Sequence, residues 1–129
     1  MSMSIVNEYK SKLCSANDAV AIVQSGDWVD YGMGLSQPVV LDEALAKRKH
    51  ELRDVKIRSI LTVMPRQVVI KDPDRETFTY CSWHFSGYDR KLNEQGLCNF
   101  IPMIYRNLPS YYRNYLAVDV AMVSVPPMD

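Results

Sequence analysis

The sequence predicts an α/β fold, an open, mostly parallel sheet flanked by helices. Short apolar runs at residues 28–31, 55–61, 78–83 and 118–125 alternate with segments of helical spacing, the order expected of parallel strands joined by helical crossovers. The last run, Val118-Asp119-Val120-Ala121-Met122-Val123-Ser124-Val125, is apolar on both faces, as strands buried in parallel sheets are. The third observation is the stretch Asp30-Tyr31-Gly32-Met33-Gly34-Leu35-Ser36-Gln37-Pro38, where a strand breaks into a glycine turn and restarts as a helix. Glycines let backbone approach a ligand closely, and Pro38 presets φ for the helix start.

Each element follows from local pattern. Residues 5–13 read as a short amphipathic helix, and Ser15 with Asp18 opens a second that runs to Val23. Ser25-Gly26-Asp27 stops it, and the first strand follows at Trp28. Residues 39–49 form the next helix, closed by Lys47, Arg48, Lys49 and His50 where a helix C-terminus favours positive charge. Residues 55–61 alternate and then turn apolar, a second strand, and residues 65–74 are a polar, proline-bearing connection. The aromatic run at 78–83 is a third strand. Residues 84–87 turn, and 88–95 form a helix ended by Gly96. Residues 100–102 are briefly extended, and 108–116 make a helix with Pro109 at its start.

Bulk composition narrows the function. The 129 residues suit one domain or a piece of a larger protein. Fifteen basic and fifteen acidic side chains cancel, which gives no electrostatic case for nucleic acid or an anionic membrane. No apolar run approaches membrane-spanning length and no basic-then-apolar leader opens the chain. Cys14, Cys81 and Cys98 are odd in number and lack pair spacing, which favours incidental thiols in a reduced cytoplasmic protein over a disulfide or zinc framework. A strand buried on both faces needs covering elements beyond those in the sequence, so the chain reads as an incomplete domain.

The chemistry-bearing candidates are few. A helix N-terminus after a glycine turn offers N–H groups that stabilise an anionic oxygen. Gly32-x-Gly34 does not complete a dinucleotide motif, since its third glycine would fall at Gln37. No acidic residue ends the strand at 55–61 to hold a ribose hydroxyl. His84 lies past a strand end, where it faces a ligand or, more commonly for a lone histidine, makes a structural hydrogen bond. Tyr105, Tyr111, Tyr112 and Tyr115, interleaved with Arg106 and Arg113, suit packing between helices or at an interface better than base stacking, given the zero net charge. The seven methionines read as core filler.

Several stretches, taken in order, carry a family resemblance. They are Ala21-Ile22-Val23-Gln24-Ser25-Gly26-Asp27, Gly32-Met33-Gly34-Leu35-Ser36-Gln37-Pro38, and Ser82-Trp83-His84-Phe85-Ser86-Gly87 with Arg90. Gly96, Phe100-Ile101-Pro102, Leu108-Pro109, Arg113, Asp119-Val120-Ala121 and Ser124-Val125-Pro126-Pro127-Met128-Asp129 complete the series. On these the chain resembles the N-terminal part of the acetyl-CoA hydrolase/transferase family, in its 4-hydroxybutyrate and butyrate-acetate CoA-transferase branch. The resemblance implies a protein of two related α/β halves whose glutamate nucleophile forms a thioester with CoA and belongs to the C-terminal half. None of Glu8, Glu43, Glu51, Glu76 and Glu94 matches that motif, so no catalytic residue is assigned. The expected substrate-binding positions are Gly32, Met33, Gly34, Leu35, Ser36, Gln37, His84, Ser86 and Gly87. The turn either stabilises charge on a thioester carbonyl or shapes the acid pocket. The implied partners are an acyl-CoA thioester and a short-chain carboxylate, with no covalently bound cofactor, no metal, no nucleic acid and no membrane. A homo-oligomer, or association through the exposed edge at 118–125, is also expected. The other reading is a stand-alone, non-enzymatic α/β module that binds a partner or small anion through the same turn, or a decayed gene fragment.

Overall fold

In the computed structural model, which describes residues 5–127, five strands form one parallel sheet in the order β4-β3-β2-β1-β5. They are β1 (Trp28–Tyr31), β2 (Val55–Ser59), β3 (Phe78–Ser82), β4 (Asn99–Phe100) and β5 (Val120–Met122). The register sets Val29 against both Ile57 and Val120, and Ile57 against Tyr80. The helices are α1 (Ile5–Lys12), α2 (Ala16–Val20), α3 (Val39–Lys47), α4 (Gln67–Ile70), α5 (Gly87–Glu94) and α6 (Leu108–Asn114).

Alternation along each strand divides the structure into two faces. On one, Val29, Ile57 and Tyr80 meet Val20 of α2, Leu45 of α3, Val68 of α4 and Leu92 of α5 in a single core. On the other, Asp30, Arg58 and Trp83 receive α6. The Arg58 guanidinium pairs with Asp30 at 2.7 Å and lies 4.8, 5.5 and 5.2 Å from the rings of Trp28, Trp83 and Tyr112. The Tyr112 hydroxyl donates to the free oxygen of Asp30, so burial and that carboxylate together push its pKa up to about 12.

Several expectations change on contact with tertiary structure. Helix α1 buries no residue, and Ile5, Val6 and Tyr9 of its apolar face are all exposed. The connection at 65–74 is not a plain loop. It contains α4 and buries Arg66, Val68, Val69 and Asp72. Strand β2 ends at Ser59 because Leu61 turns into the left-handed region at φ +50°. Of the described methionines only Met122 is buried. Met33 and Met64 lie exposed on loops, so core filler describes one of them. Within the tyrosine cluster Tyr112 points inward, while Tyr105, Tyr111 and Tyr115 are exposed.

The last strand is shorter than the apolar run that predicts it. Only residues 120–122 pair, and β5 is the terminal strand of the sheet. Val118, Val123 and Val125 are exposed, at 39%, 56% and 74%, where a two-sided apolar strand would be covered. Met128 and Asp129, which end the final sequence motif, lie outside the described residues.

All three cysteines are free, with Cys14 exposed and the other two buried. Burial raises the Cys81 thiol and pushes Cys98 to about 12, so neither forms the reactive thiolate near neutrality. Alkylation of the native chain at pH 8 should label Cys14 alone, with Cys81 and Cys98 reacting only in denaturant. Peptide mapping that finds either one modified in the native chain would contradict the burial of Cys81 and Cys98.

Candidate functional site

Because every strand pair is parallel, the loops that leave β1, β2 and β3 emerge on one edge of the sheet. The chain winds from β1 through β2 and β3 to β4 on one side, then places β5 on the other side of β1. Strand order therefore reverses between β1 and β5, the position at which open α/β sheets hold their ligands. The glycine turn sits at that switch point. A groove of about 240 Å³ opens beside it, between Leu35, Val40 and the start of α3 on one wall and Val123 and Ser124 on the other.

The turn itself is built from three demands, one of them long-range. Gly32 donates its N–H to the Met122 carbonyl, and the Ser124 N–H returns to the Ser36 carbonyl, so the turn closes over the end of β5. Residues Gly34–Ser36 form one 3-10 turn, with Gly34 at φ +56°. A Cβ on Gly32 would stand 2.2 Å from the Ser36 carbonyl oxygen, whereas one on Gly34 would meet open space. Glycine at 32 is thus needed for close backbone approach, and at 34 for backbone angle.

The turn N–H groups differ from the expected array of free donors. Gly34 donates to the Ile60 carbonyl at 3.3 Å and Ser36 to the Met33 carbonyl at 3.0 Å. What the turn presents outward is apolar: Leu35 is 94% exposed and Met33 44%. Gln37 borders the groove but is buried, its carboxamide reaching Leu61 and Met64 of the loop after β2. His84 is exposed after β3, and its carbonyl accepts from the Leu61 N–H at 3.0 Å. Ser86 caps α5, accepting from the Asp89 N–H, and Gly87 is the first residue of that helix. The two loops that carry the nine expected positions, after β1 and after β3, are therefore joined by residues 60–64 after β2, the bridge between the glycine turn and the His84 turn. A cavity of about 40 Å³ lies beside His84, walled by Ile60, Trp83, Met103, Tyr105 and Leu108.

Beneath these loops lies a buried polar layer that sequence reasoning missed. The Arg66 guanidinium, fully buried, stacks 5.1 Å from Tyr31 and 5.9 Å from Tyr80, and donates to Ser59 Oγ at 2.9 Å. Its Nη1 has no hydrogen-bond partner. Asp42 of α3 accepts from the Tyr31 hydroxyl at 3.1 Å and from the Gln67 N–H at 2.6 Å, so it caps α4. Burial raises the Asp42 carboxyl, opposed by those donors and by the Arg66 charge. Burial also lifts the Tyr31 phenol well above its ordinary value. On the far side Asp89, wholly buried, accepts from the N–H of Thr62 and of Ser86 and from the hydroxyls of Tyr80 and Ser82. One carboxylate thus joins the loop after β2 to the loop after β3. The visible sequence signal was Ser86 followed three residues later by Asp89, a capping-box spacing. Among the described residues no three His, Cys, Asp or Glu side chains converge as metal ligands would.

The comparisons agree with this architecture. The model of the acetyl-CoA hydrolase/transferase N-terminal domain matches residues 2–129. A butyryl-CoA:acetate CoA-transferase of Anaerostipes caccae is 44% identical over 128 residues, 98% of this chain and 29% of that protein. A probable butyrate:acetyl-CoA coenzyme A-transferase of Syntrophomonas wolfei is 42% identical, over 100% of this chain and 29% of its own length. The chain thus spans under a third of these relatives. In fold it is similar to RipA from Yersinia pestis, with a TM-score of 0.84 at 23% identity over 98% of this chain and 32% of that one.

The two glycines of the turn should respond differently to a methyl group. Gly32→Ala forces the Ser36 carbonyl to move and should cost about 2–3 kcal/mol, in the range of overpacked sites. Gly34→Ala meets only the left-handed backbone preference and should cost about 1–2 kcal/mol. Urea titration of both variants measures the order, and equal costs would place the close contact elsewhere.

Proposed function

The chain belongs to the acetyl-CoA hydrolase/transferase family, and from that membership we propose that it is the N-terminal part of an acyl-CoA:carboxylate CoA-transferase of the butyrate, acetate or 4-hydroxybutyrate type. The observation that carries the reading is the pair of relatives at 44% and 42% identity, whose names both couple butyrate with acetyl or acetate. The reaction breaks a thioester carbon–sulfur bond and re-forms it on another carboxyl carbon, with no net oxidation or reduction. The coenzyme A thioester is the substrate that recurs on both sides of the exchange.

In this reading residues 1–129 frame the pocket and the glutamate nucleophile comes from polypeptide beyond them. The loops at the β1, β2 and β3 ends form one wall. Gly32, Met33, Gly34, Leu35 and Ser36 face the acyl-CoA from the switch point, and His84, Ser86 and Gly87 flank it. Gln37 acts from behind that wall. The exposed apolar groups Met33 and Leu35 suit a hydrocarbon portion of the substrate better than a phosphate. Three free thiols fit a reducing cytoplasm.

Purified chain mixed with acetyl-CoA and butyrate should form no butyryl-CoA above a buffer blank by mass spectrometry. The same chain fused to the part of the Anaerostipes caccae relative that follows the matched segment should form it. Turnover by the chain alone would place a nucleophile within residues 1–129, and a folded but silent fusion would overturn the pocket-wall role.

The isolated chain should also self-associate, a second copy covering β5. The support is an edge strand unpaired on its outer side among the described residues, exposed Val118, Val123 and Val125, and zero net charge to oppose contact. Light scattering over a concentration series measures it, and a monodisperse single-chain mass at high concentration would refute it.

A further inference from the structure

Gln37 borders the groove beside the glycine turn, yet it is only 2% exposed, because its side chain is spent on the neighbouring loop. Its Nε2 donates to the Leu61 carbonyl at 3.1 Å, and its Oε1 accepts from the Met64 N–H at 3.1 Å. Only a carboxamide offers a donor and an acceptor side by side in this way. The two bonds grip the loop after β2 at both shoulders. Between them stand Val63, 52% exposed, and Met64, whose side chain is 47% exposed even though its N–H is held.

The gripped loop is a conformation that needs holding. Leu61 adopts φ +50°, a left-handed backbone that L-residues other than Asn and Asp seldom take. Its N–H is engaged by the His84 carbonyl at 3.0 Å and its carbonyl by Gln37. A strained residue persists when the surroundings over-determine it, and here one of the two restraints comes from the glycine turn. The remaining tie from the same turn is the Gly34 N–H on the Ile60 carbonyl, a longer bond at 3.3 Å.

We propose that Gln37 is a positioning residue, which holds residues 61–64 with Leu61 in its left-handed conformation and so fixes that wall of the acyl-CoA cleft without touching substrate. The proposal rests on the CoA-transferase reading for the word substrate, and on geometry alone for the restraint. With the carboxamide gone, Leu61 relaxes toward the right-handed region and carries Val63 and Met64 with it. Ground-state binding then weakens while the reacting groups, held elsewhere, keep their rate.

The test uses Gln37→Met, close in size and unable to make either bond, with Gln37→Leu, equally unable to make them, as the substitute if the first does not fold. In the isolated chain, amide hydrogen exchange should speed by about tenfold or more at Leu61 and Met64, while β2 and β3 amides keep their protection. Leu61→Gly removes the left-handed penalty, so adding it to Gln37→Met should restore slow exchange at residue 61, whose N–H bonds the His84 carbonyl, and not at Met64, whose acceptor is gone. In the fusion protein described above, Gln37→Met should raise KM for acyl-CoA about tenfold with kcat within about twofold, and Leu61→Gly should bring KM back. Unchanged exchange at Met64 overturns the proposal. So does protection lost evenly across the sheet, which would mark a fold-wide role, or a fall in kcat at constant KM, which would mark a group acting on the transition state. A wild-type fusion without activity speaks against the CoA-transferase reading only, and the exchange measurement still decides the restraint.

Discussion

A guanidinium taken wholly out of water must find its compensation inside the protein, because the desolvation penalty is several kcal/mol and the group cannot shed its charge. Arg66 is taken out wholly. Its compensation comes from three strands at once: the Tyr31 ring at the end of β1, Ser59 at the end of β2 and the Tyr80 ring of β3. The carboxylates that complete the layer, Asp42 and Asp89, are spoken for by backbone N–H groups of α4 and of the loops. Strand ends, helix starts and loops at this edge therefore cannot be adjusted one at a time. A shift in any of them leaves a buried polar group without its partner.

That constraint explains why an apolar, outwardly soft set of loops can keep a shape. Met33, Leu35, Val63 and Met64 are exposed and make little packing of their own. Their backbones are fixed from below by the polar layer and from the side by Gln37. A surface that meets a substrate of mixed character, apolar at one end and charged at the other, gains from walls that are apolar in side chain and rigid in backbone.

Much of this fold can be read from residue order. Strand β1 falls at Trp28–Tyr31 as its pattern predicts, the Pro38 boundary starts α3 at Val39, and Ser15 caps α2. Those features are local, decided by residues within four or five positions. What escaped was decided at a distance. Arg66 looks like one more charge in a proline-bearing connection, and only Tyr31 and Tyr80, 35 and 14 positions away, make it a core residue. Gln37 looks like a ligand-facing residue of the turn because nothing nearby reveals that Leu61 and Met64 will stand against it. The run at 118–125 reads as buried because periodicity reports hydrophobicity and not the presence of covering elements. At the candidate site the turns fall where the residue pattern puts them, but the atoms they show differ from expectation: the donors of Gly34 and Ser36 face inward and the apolar side chains outward.

The position of β5 has a bearing on the order in which the molecule assembles. Strands β1, β2 and β3 join through neighbouring segments of chain, whereas β5 returns to β1 from far away, the Trp28 N–H meeting the Asp119 carboxylate across 91 residues. The ordering entropy of so large a closure is recovered only after the intervening sheet exists, since the cost precedes the contacts that offset it. On that ground β5 is expected to condense on a sheet of β1 to β4 already formed, and the switch-point groove, one wall of which is residues 123–124, to come into being with that step. The groove would then be a late feature of folding, formed at a ribosome only once residues beyond 124 had cleared the exit.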